Sequence, residues 1–227
     1  MITTDAELKL ERLVSETLGI FTIKPDKLVK WIPGMFLQLS LTRKAASEPW
    51  LDSKPFSIAS WGGKEIKIIV RKEGKFTNSL FGIPEEGIIC SMKYPLGNFF
   101  LNQPGKKIFL AGGAGISVFT SYLDFSAQNN IIDKIVLLHS TSSPHEFLMS
   151  FYWNRLPPNI RAYSNFPAIN DCKGGKFRFK IEMLNSIVND LNSWSSYACG
   201  PNGYLSYWRD ALSAIGLKLK SESWLVS

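Results

Sequence analysis

Short runs of alternating apolar and polar residues, each closed by proline or glycine, fill the first half of the chain and predict strands. Residues 7–14, 19–23, 35–41, 56–59, 66–71 and 87–92 carry β-branched, aromatic or other apolar side chains at the spacing of half-buried strands. Their recurrence at short intervals predicts an antiparallel sandwich or small barrel. Pro33 and Gly34 set a turn ahead of one strand, and residues 77–81, just after Phe76, predict one short helix. Beyond residue 104 the pattern changes. Apolar strands at 108–111, 134–139, 160–164, 196–199 and 218–221 alternate with helical spacing at 116–128, 146–156, 181–189 and 204–214. That alternation predicts a doubly wound parallel sheet with both faces covered. Two domains are therefore expected, 1–103 and 104–227, with no internal repeat and no low-complexity linker.

Composition narrows the class. The chain has 227 residues, 45% apolar and 20% charged, which suits an ordered globular protein with room for a real core. No apolar run reaches the roughly 18 residues of a membrane span, and the opening MITTDAELKLERL lacks a signal-peptide core, so a cytoplasmic protein without a membrane partner is expected. Cys90, Cys172 and Cys199 lie far apart, and His139 and His145 are the two histidines, so neither a disulfide framework nor a metal site is expected. The net charge of +7 is scattered without a long basic run. It suits an acidic partner as well as a plain solvated surface, and no nucleic-acid partner is expected.

Candidate chemistry centres on IFLAGGAGISVFTSYL, residues 108–123. A buried strand, a turn broken by Gly112, Gly113 and Gly115, and a helix from Ile116 onward would leave open amides and a partial positive charge at the turn. A phosphate fits such a turn, and so does a plain strand-to-helix connection. Upstream, KPFSIAS at residues 54–60 combines a cation, an aromatic ring and hydroxyls in one extended run. Lys54 and Phe56 face one way, Pro55 and Ser57 the other.

Five segments occur together in one order: KPFSIAS, IVRKEGKFT at 69–77, YPLGNFFL at 94–101, FLAGGAGIS at 109–117 and YACGPNGY at 197–204. In order and approximate spacing the chain resembles the ferredoxin–NADP reductase family along nearly its whole length. The resemblance implies an N-terminal antiparallel β-barrel that binds FAD, a C-terminal doubly wound α/β domain that binds NAD(P)H, and the flavin between them. It implies that Lys54 neutralises the FAD pyrophosphate, that Pro55 and Phe56 border the cofactor, and that the Ser57 hydroxyl lies near flavin N5. Lys stands here for the family's Arg and Phe for its Tyr, which turns a bidentate phosphate contact into a point charge and removes a phenolic hydroxyl. In the second flavin segment, backbone groups of Val70 and Arg71 would border the ring while Lys75, Phe76 and Thr77 cradle the pyrophosphate beside a hairpin at Glu73 and Gly74.

The same resemblance places the nicotinamide pyrophosphate on Gly112, Gly113, Gly115 and Ser117, with Val118 where relatives carry Pro. Cys199, Gly200 and Pro201 match the family's Cys-Gly-Pro segment, with a positional and electrostatic role for the thiol; a cysteine in that place is equally a small buried apolar residue. The end of the second strand, HSTSSPHEF, offers the hydroxyls of Ser140, Thr141, Ser142 and Ser143 to the ribose and leaves NADH or NADPH open, with Arg155, Arg161 and Lys173 as further charges. At the terminus, SESWLVS matches an acidic residue and an aromatic that approach the flavin, here Glu222 and Trp224, although a surface Glu beside a packing Trp reads the same way.

The implied activity is that of an FAD-dependent NAD(P)H oxidoreductase, with Ser57, Cys199 and Glu222 as the catalytic candidates. A hydride would pass between nicotinamide C4 and flavin N5, and electrons would continue to a separate acceptor, an acidic ferredoxin or flavodoxin or a small molecule. The chain lacks the cysteine spacing of an iron–sulfur site, so no cluster is expected in it. The alternatives are an NAD(P)H:flavin reductase that uses loosely bound flavin as substrate, and a non-catalytic nucleotide-binding subunit of a larger complex.

Overall fold

A computed structural model describes residues 1–146, 156, 158–165 and 179–222. Nearly all of the helix expected over 146–156, together with Arg155, Cys172, Lys173 and Trp224, lies outside the described residues. By contact the chain forms two compact units, Met1–Asn102 with Ser117–Gln128, and Gln103–Ile116 with Asn129–Ser227.

The first unit holds six strands: β1 (Ile2–Ser15), β2 (Leu18–Pro25), β3 (Phe36–Ser40), β4 (Lys54–Ser57), β5 (Ile66–Arg71) and β6 (Ile88–Leu96). They pair antiparallel in the order β4-β3-β6-β1-β2-β5. Just beyond the end of β4, the Ala59 amide donates to the Lys67 carbonyl of β5 at 2.7 Å, so the two edges meet and the sheet nearly closes into a barrel. Alternate residues of β5, Ile66, Ile68 and Val70, point into the core with Leu8, Phe21 and Leu37. β1 starts earlier than the apolar pattern predicts, because Ile2–Leu8 pairs with β6 from Tyr94 back to Ile88 and that pairing carries the polar residues Thr3, Thr4 and Asp5 into the sheet.

Helix α1 (Gly74–Phe81) follows β5 directly. Gly74 takes φ +78°, a turn for which glycine is suited. The hairpin expected at Glu73 and Gly74 is therefore absent, and the helix begins before Phe76, not after it.

The second unit is a parallel sheet in the order β11-β10-β7-β8-β9. Its strands are β7 (Lys107–Gly112), β8 (Ile135–Ser140), β9 (Ile160–Asn165), β10 (Ser195–Cys199) and β11 (Leu219–Glu222). β7 is central and buried at every position, as a strand covered on both faces must be. Even Lys107 at its start is fully buried, its Nζ 2.7 Å from Asp133 Oδ2 and 2.9 Å from the Gly105 carbonyl. Ile108, Leu110, Val136, Leu138 and Trp208 form the core beneath α3 (Ile181–Ile187) and α4 (Asn202–Ser213).

Helix α2 (Ser117–Gln128) follows β7 in sequence and belongs to the first unit by contact. Thr120, Ser121, Asp124 and Gln128 share one of its faces at helical spacing. Thr120 Oγ1 donates to the Ala59 carbonyl at 2.7 Å and Ser121 Oγ to the Ser60 carbonyl at 2.9 Å. Asp124 accepts the Trp61 amide at 3.3 Å, and Gln128 donates to the Trp61 carbonyl at 2.8 Å. Burial pushes the Asp124 carboxyl above its ordinary range, with the Trp61 amide pulling the other way. The segment that leaves β4 is thus fixed through its backbone. Because Thr120 is 0% exposed, Thr120→Val keeps the volume but strands the Ala59 carbonyl. The expected loss is about 1–3 kcal/mol of stability, read as a lower urea midpoint with an unchanged slope.

Candidate functional site

In the first unit, the segments singled out in the sequence come together at β4 and the start of α1. The Phe56 and Phe76 rings lie 5.9 Å apart, tilted by 33°. Next to Phe56, Ser57 is 5% exposed and its hydroxyl has no hydrogen-bond partner among the described residues. A buried hydroxyl left unpaired is costly, so Ser57 stands ready for a polar atom of a ligand. Lys54 and Pro55 flank the pair, half-buried.

The residue before α1, Glu73, has an extended backbone and supplies no side-chain cap, so the first-turn amides remain available with their partial positive charge. Lys75 is exposed on that turn. Thr77 contributes differently from a free hydroxyl: its Oγ1 accepts the Glu73 amide at 2.6 Å and donates to the Glu73 carbonyl at 2.5 Å. Val70 buries its side chain in the barrel, and Arg71 donates to Thr17 Oγ1 at 3.3 Å. β5 is an outer strand of the sheet order.

In the second unit, four carboxyl strand ends lie side by side. Gly112 is opposite Ser140, and Cys199 stands between Ala111 and Glu222. After Gly112 the chain makes a 3-10 turn, Gly113–Ile116, before α2 begins at Ser117, so the helix starts one residue later than its apolar pattern predicts. Ser117 itself is buried and falls with α2 in the first unit. Gly115 packs directly against the end of β10: a Cβ there would lie 2.2 Å from the Cys199 carbonyl oxygen and 2.9 Å from the Gly200 amide nitrogen. The glycine turn and the Cys199, Gly200, Pro201 segment thus form one surface, with the Cys199 side chain fully buried beneath it.

The strand ends also bring in His139 and Glu146, to which the sequence pattern assigned no role. His139 Nε2 lies 2.9 Å from the Gly113 carbonyl, bracing the turn from the neighbouring strand. Thr141 Oγ1 donates to the Ser143 carbonyl at 2.9 Å, and Ser142 Oγ donates to Glu146 Oε2 at 2.6 Å. The four-residue spacing from Ser142 to Glu146 was the available signal for that pair. On the far side, Glu222 Oε2 is buried without a hydrogen-bond partner among the described residues, and burial pushes its carboxyl up from 4.5 to about 7. Among the described residues no cluster of three or more metal-ligating side chains occurs, and no helix is long and apolar enough to cross a membrane.

Residues 3–111 match the family model of an FAD-binding domain. That match covers just under half of the chain, and with the relatives and solved structures it supports a likeness to ferredoxin reductase-like FAD-binding proteins. It is 23% identical over 226 residues to a flavohemoprotein of Bacillus cereus, covering 90% of this chain and 56% of that protein. It is 36% identical over 178 residues to a Pyrococcus horikoshii protein named "Probable dihydroorotate dehydrogenase B (NAD(+)), electron transfer subunit", covering 78% of this chain and 62% of that one. The chain therefore spans less than two thirds of the length of either relative. The crystal structure of a ferredoxin NADP+ reductase from Neisseria gonorrhoeae with bound FAD and NADP superposes with a TM-score of 0.79 at 18% identity, over 97% of this chain and 98% of that one, and shows the shared fold.

FAD is the cofactor that the matched domain model names, and the residues present fit it. The unpaired Ser57 hydroxyl suits a polar edge of a flavin ring, Phe56 and Phe76 offer apolar surface, and the uncapped start of α1 with Lys75 suits a pyrophosphate.

Two outcomes follow from the strand ends. Gly115→Ala forces a backbone shift against Cys199 and is expected to lower stability by about 1–3 kcal/mol and to weaken binding of ADP-ribose, measured by urea unfolding and calorimetry. For Glu222 the folded-state value lies above the ordinary one, so its contribution to stability is full below pH 4.5 and is lost as pH rises through about 7. Glu222→Gln should remove that loss, so that wild type and variant unfold alike in acid and the variant becomes the more stable above about pH 7.

Proposed function

We propose that this chain is an NAD(P)H-dependent flavoprotein reductase that passes electrons to a separate acceptor. The observation that carries the reading is the buried, unpartnered Ser57 hydroxyl on a strand whose neighbouring Phe56 meets the uncapped helix start at Phe76. In this reading Lys54, Phe56, Ser57, Lys75, Phe76 and the backbone of Val70, Arg71 and Thr77 hold FAD. When bound, FAD supplies the chemistry of accepting a hydride from reduced nicotinamide and releasing electrons singly or in pairs.

The work of the protein is orientation and exclusion of water. Ser57 donates a hydrogen bond from a fixed strand position, while Phe56 shields the ring face from solvent. Gly112, Gly113 and Gly115 admit the nicotinamide pyrophosphate close to the backbone, with His139 holding the turn in shape. Gly200 and Pro201 shape the neighbouring wall, and the role of Cys199 is positional, its carbonyl forming the seat for Gly115. Glu222, pushed up to about 7, exchanges a proton near neutral pH and serves as a local proton store. Trp224, outside the described residues, remains a candidate on sequence grounds alone.

A relative named as an electron transfer subunit supports an acceptor on another protein. The net charge of +7 suits an acidic carrier such as a ferredoxin or flavodoxin.

Anaerobic titration of the purified yellow protein with NADH and with NADPH, followed at the flavin absorption band, tests the reading. Bleaching by either nucleotide is expected. Colourless protein that reduces added flavin indicates a loosely held cofactor, and the absence of both behaviours overturns the reading. Ser57→Ala should slow bleaching by at least about tenfold without lowering stability or ADP-ribose affinity, since the hydroxyl has no hydrogen-bond partner among the described residues.

A further inference from the structure

We infer that the hydroxyl pair at the end of β8 selects NADH over NADPH, because both protons are already committed within the protein. The inference rests on the proposed nicotinamide-nucleotide site and names its substrate. The two hydroxyls follow directly on the strand end opposite Gly112, and His139 of the same strand contacts Gly113 at 2.9 Å, so they border the glycine turn.

The chemistry is one of donors and acceptors. A hydroxyl carries one proton and two lone pairs. Thr141 gives its proton to the Ser143 carbonyl and Ser142 gives its proton to the Glu146 carboxylate, at 2.9 and 2.6 Å. What Ser142 then presents to solvent, on an exposed residue, is lone pairs. The ribose 2′ hydroxyl of NADH is a donor and can bond to that oxygen. The 2′ phosphate of NADPH is ionised and offers acceptor oxygens alone, so it meets acceptor with acceptor. Glu146, 4% exposed, is fixed behind Ser142 and keeps the hydroxyl from reversing its direction. Serine next to a nucleotide site is otherwise neutral between the two cofactors, since a free hydroxyl serves either; at Ser142 the Glu146 contact removes the choice, while the Ser140 hydroxyl is buried in the sheet end.

The test is calorimetric titration of the FAD-loaded full chain with ADP-ribose and with its 2′-phosphorylated form, beside reduction by NADH and NADPH. ADP-ribose is expected to bind at least about tenfold more tightly than the 2′-phosphate form. Glu146→Gln, whose amide can donate to Ser142 and release its proton, should narrow that ratio. Ser142→Ala, which removes the acceptor while Glu146 stays in place, should weaken ADP-ribose while leaving the 2′-phosphate form unimproved. Equal or tighter binding of the 2′-phosphate form by the wild type overturns the inference and leaves the reductase reading standing. If neither compound binds and neither nucleotide bleaches the flavin, the nucleotide site itself is overturned and this inference with it.

Discussion

Four hydrogen bonds between one face of α2 and the backbone of residues 59–61 set the geometry on which the first unit depends. Residues 59–61 leave β4 immediately after Ser57, and among them the Ser60 carbonyl accepts from Ser121 and from the Trp31 indole as well. Ala59 and Ser60 are buried, so their backbone carbonyls need partners from the protein itself. The helix satisfies them in place of a neighbouring strand. The same segment closes the barrel through the Ala59 amide and the Lys67 carbonyl. One polar helical face therefore fixes both the closure of the sheet and the exit of the strand that carries Lys54, Phe56 and Ser57.

The second unit solves its positioning problem by close approach. Gly115 has no side chain, so its backbone sits against the Cys199 carbonyl, and the ends of β7 and β10 act as one rigid surface. At the other end of β7, the buried Lys107 is neutralised by Asp133, which ties the strand's start to the segment leading into β8. A central strand pinned at both ends holds its glycine turn in a fixed place. His139 adds a brace from the side. Function in such a sheet lies at the carboxyl edge, where short polar residues are free to differ while the strands beneath stay apolar.

Much of this was legible in the chain. The run Ile66–Arg71 is mostly apolar and lies between glycine-containing turns, and the observed strand has the bounds expected from it. The β-α alternation of the second half gave its parallel sheet, and the short motifs KPFSIAS and YACGPNGY pointed to the FAD-binding likeness that the first half bears out. Other features were hidden for identifiable reasons. Thr3, Thr4 and Asp5 are strand residues only because β6 pairs with them. The start of α1 was placed too late because Gly74 could equally turn a hairpin. The polar face of α2 looks in sequence like a solvated face, since periodicity records polarity and not what the polarity bonds to. His139 and Glu146 escaped notice because their partners, a carbonyl on the next strand's turn and a serine hydroxyl, are set by tertiary contact and side-chain direction.

The membership of α2 in the first unit also bears on how the chain is made. The barrel strands end at Leu96, yet the helix that satisfies residues 59–61 comes only after β7, the middle strand of the other sheet, has been synthesised. The two units are thus interlaced along the chain, although each is compact in space. On a growing polypeptide the barrel cannot finish before the second unit has begun, and separating the halves at the last barrel strand would leave one of them without its own helix. The assembly is ordered by contact, not by position in the sequence.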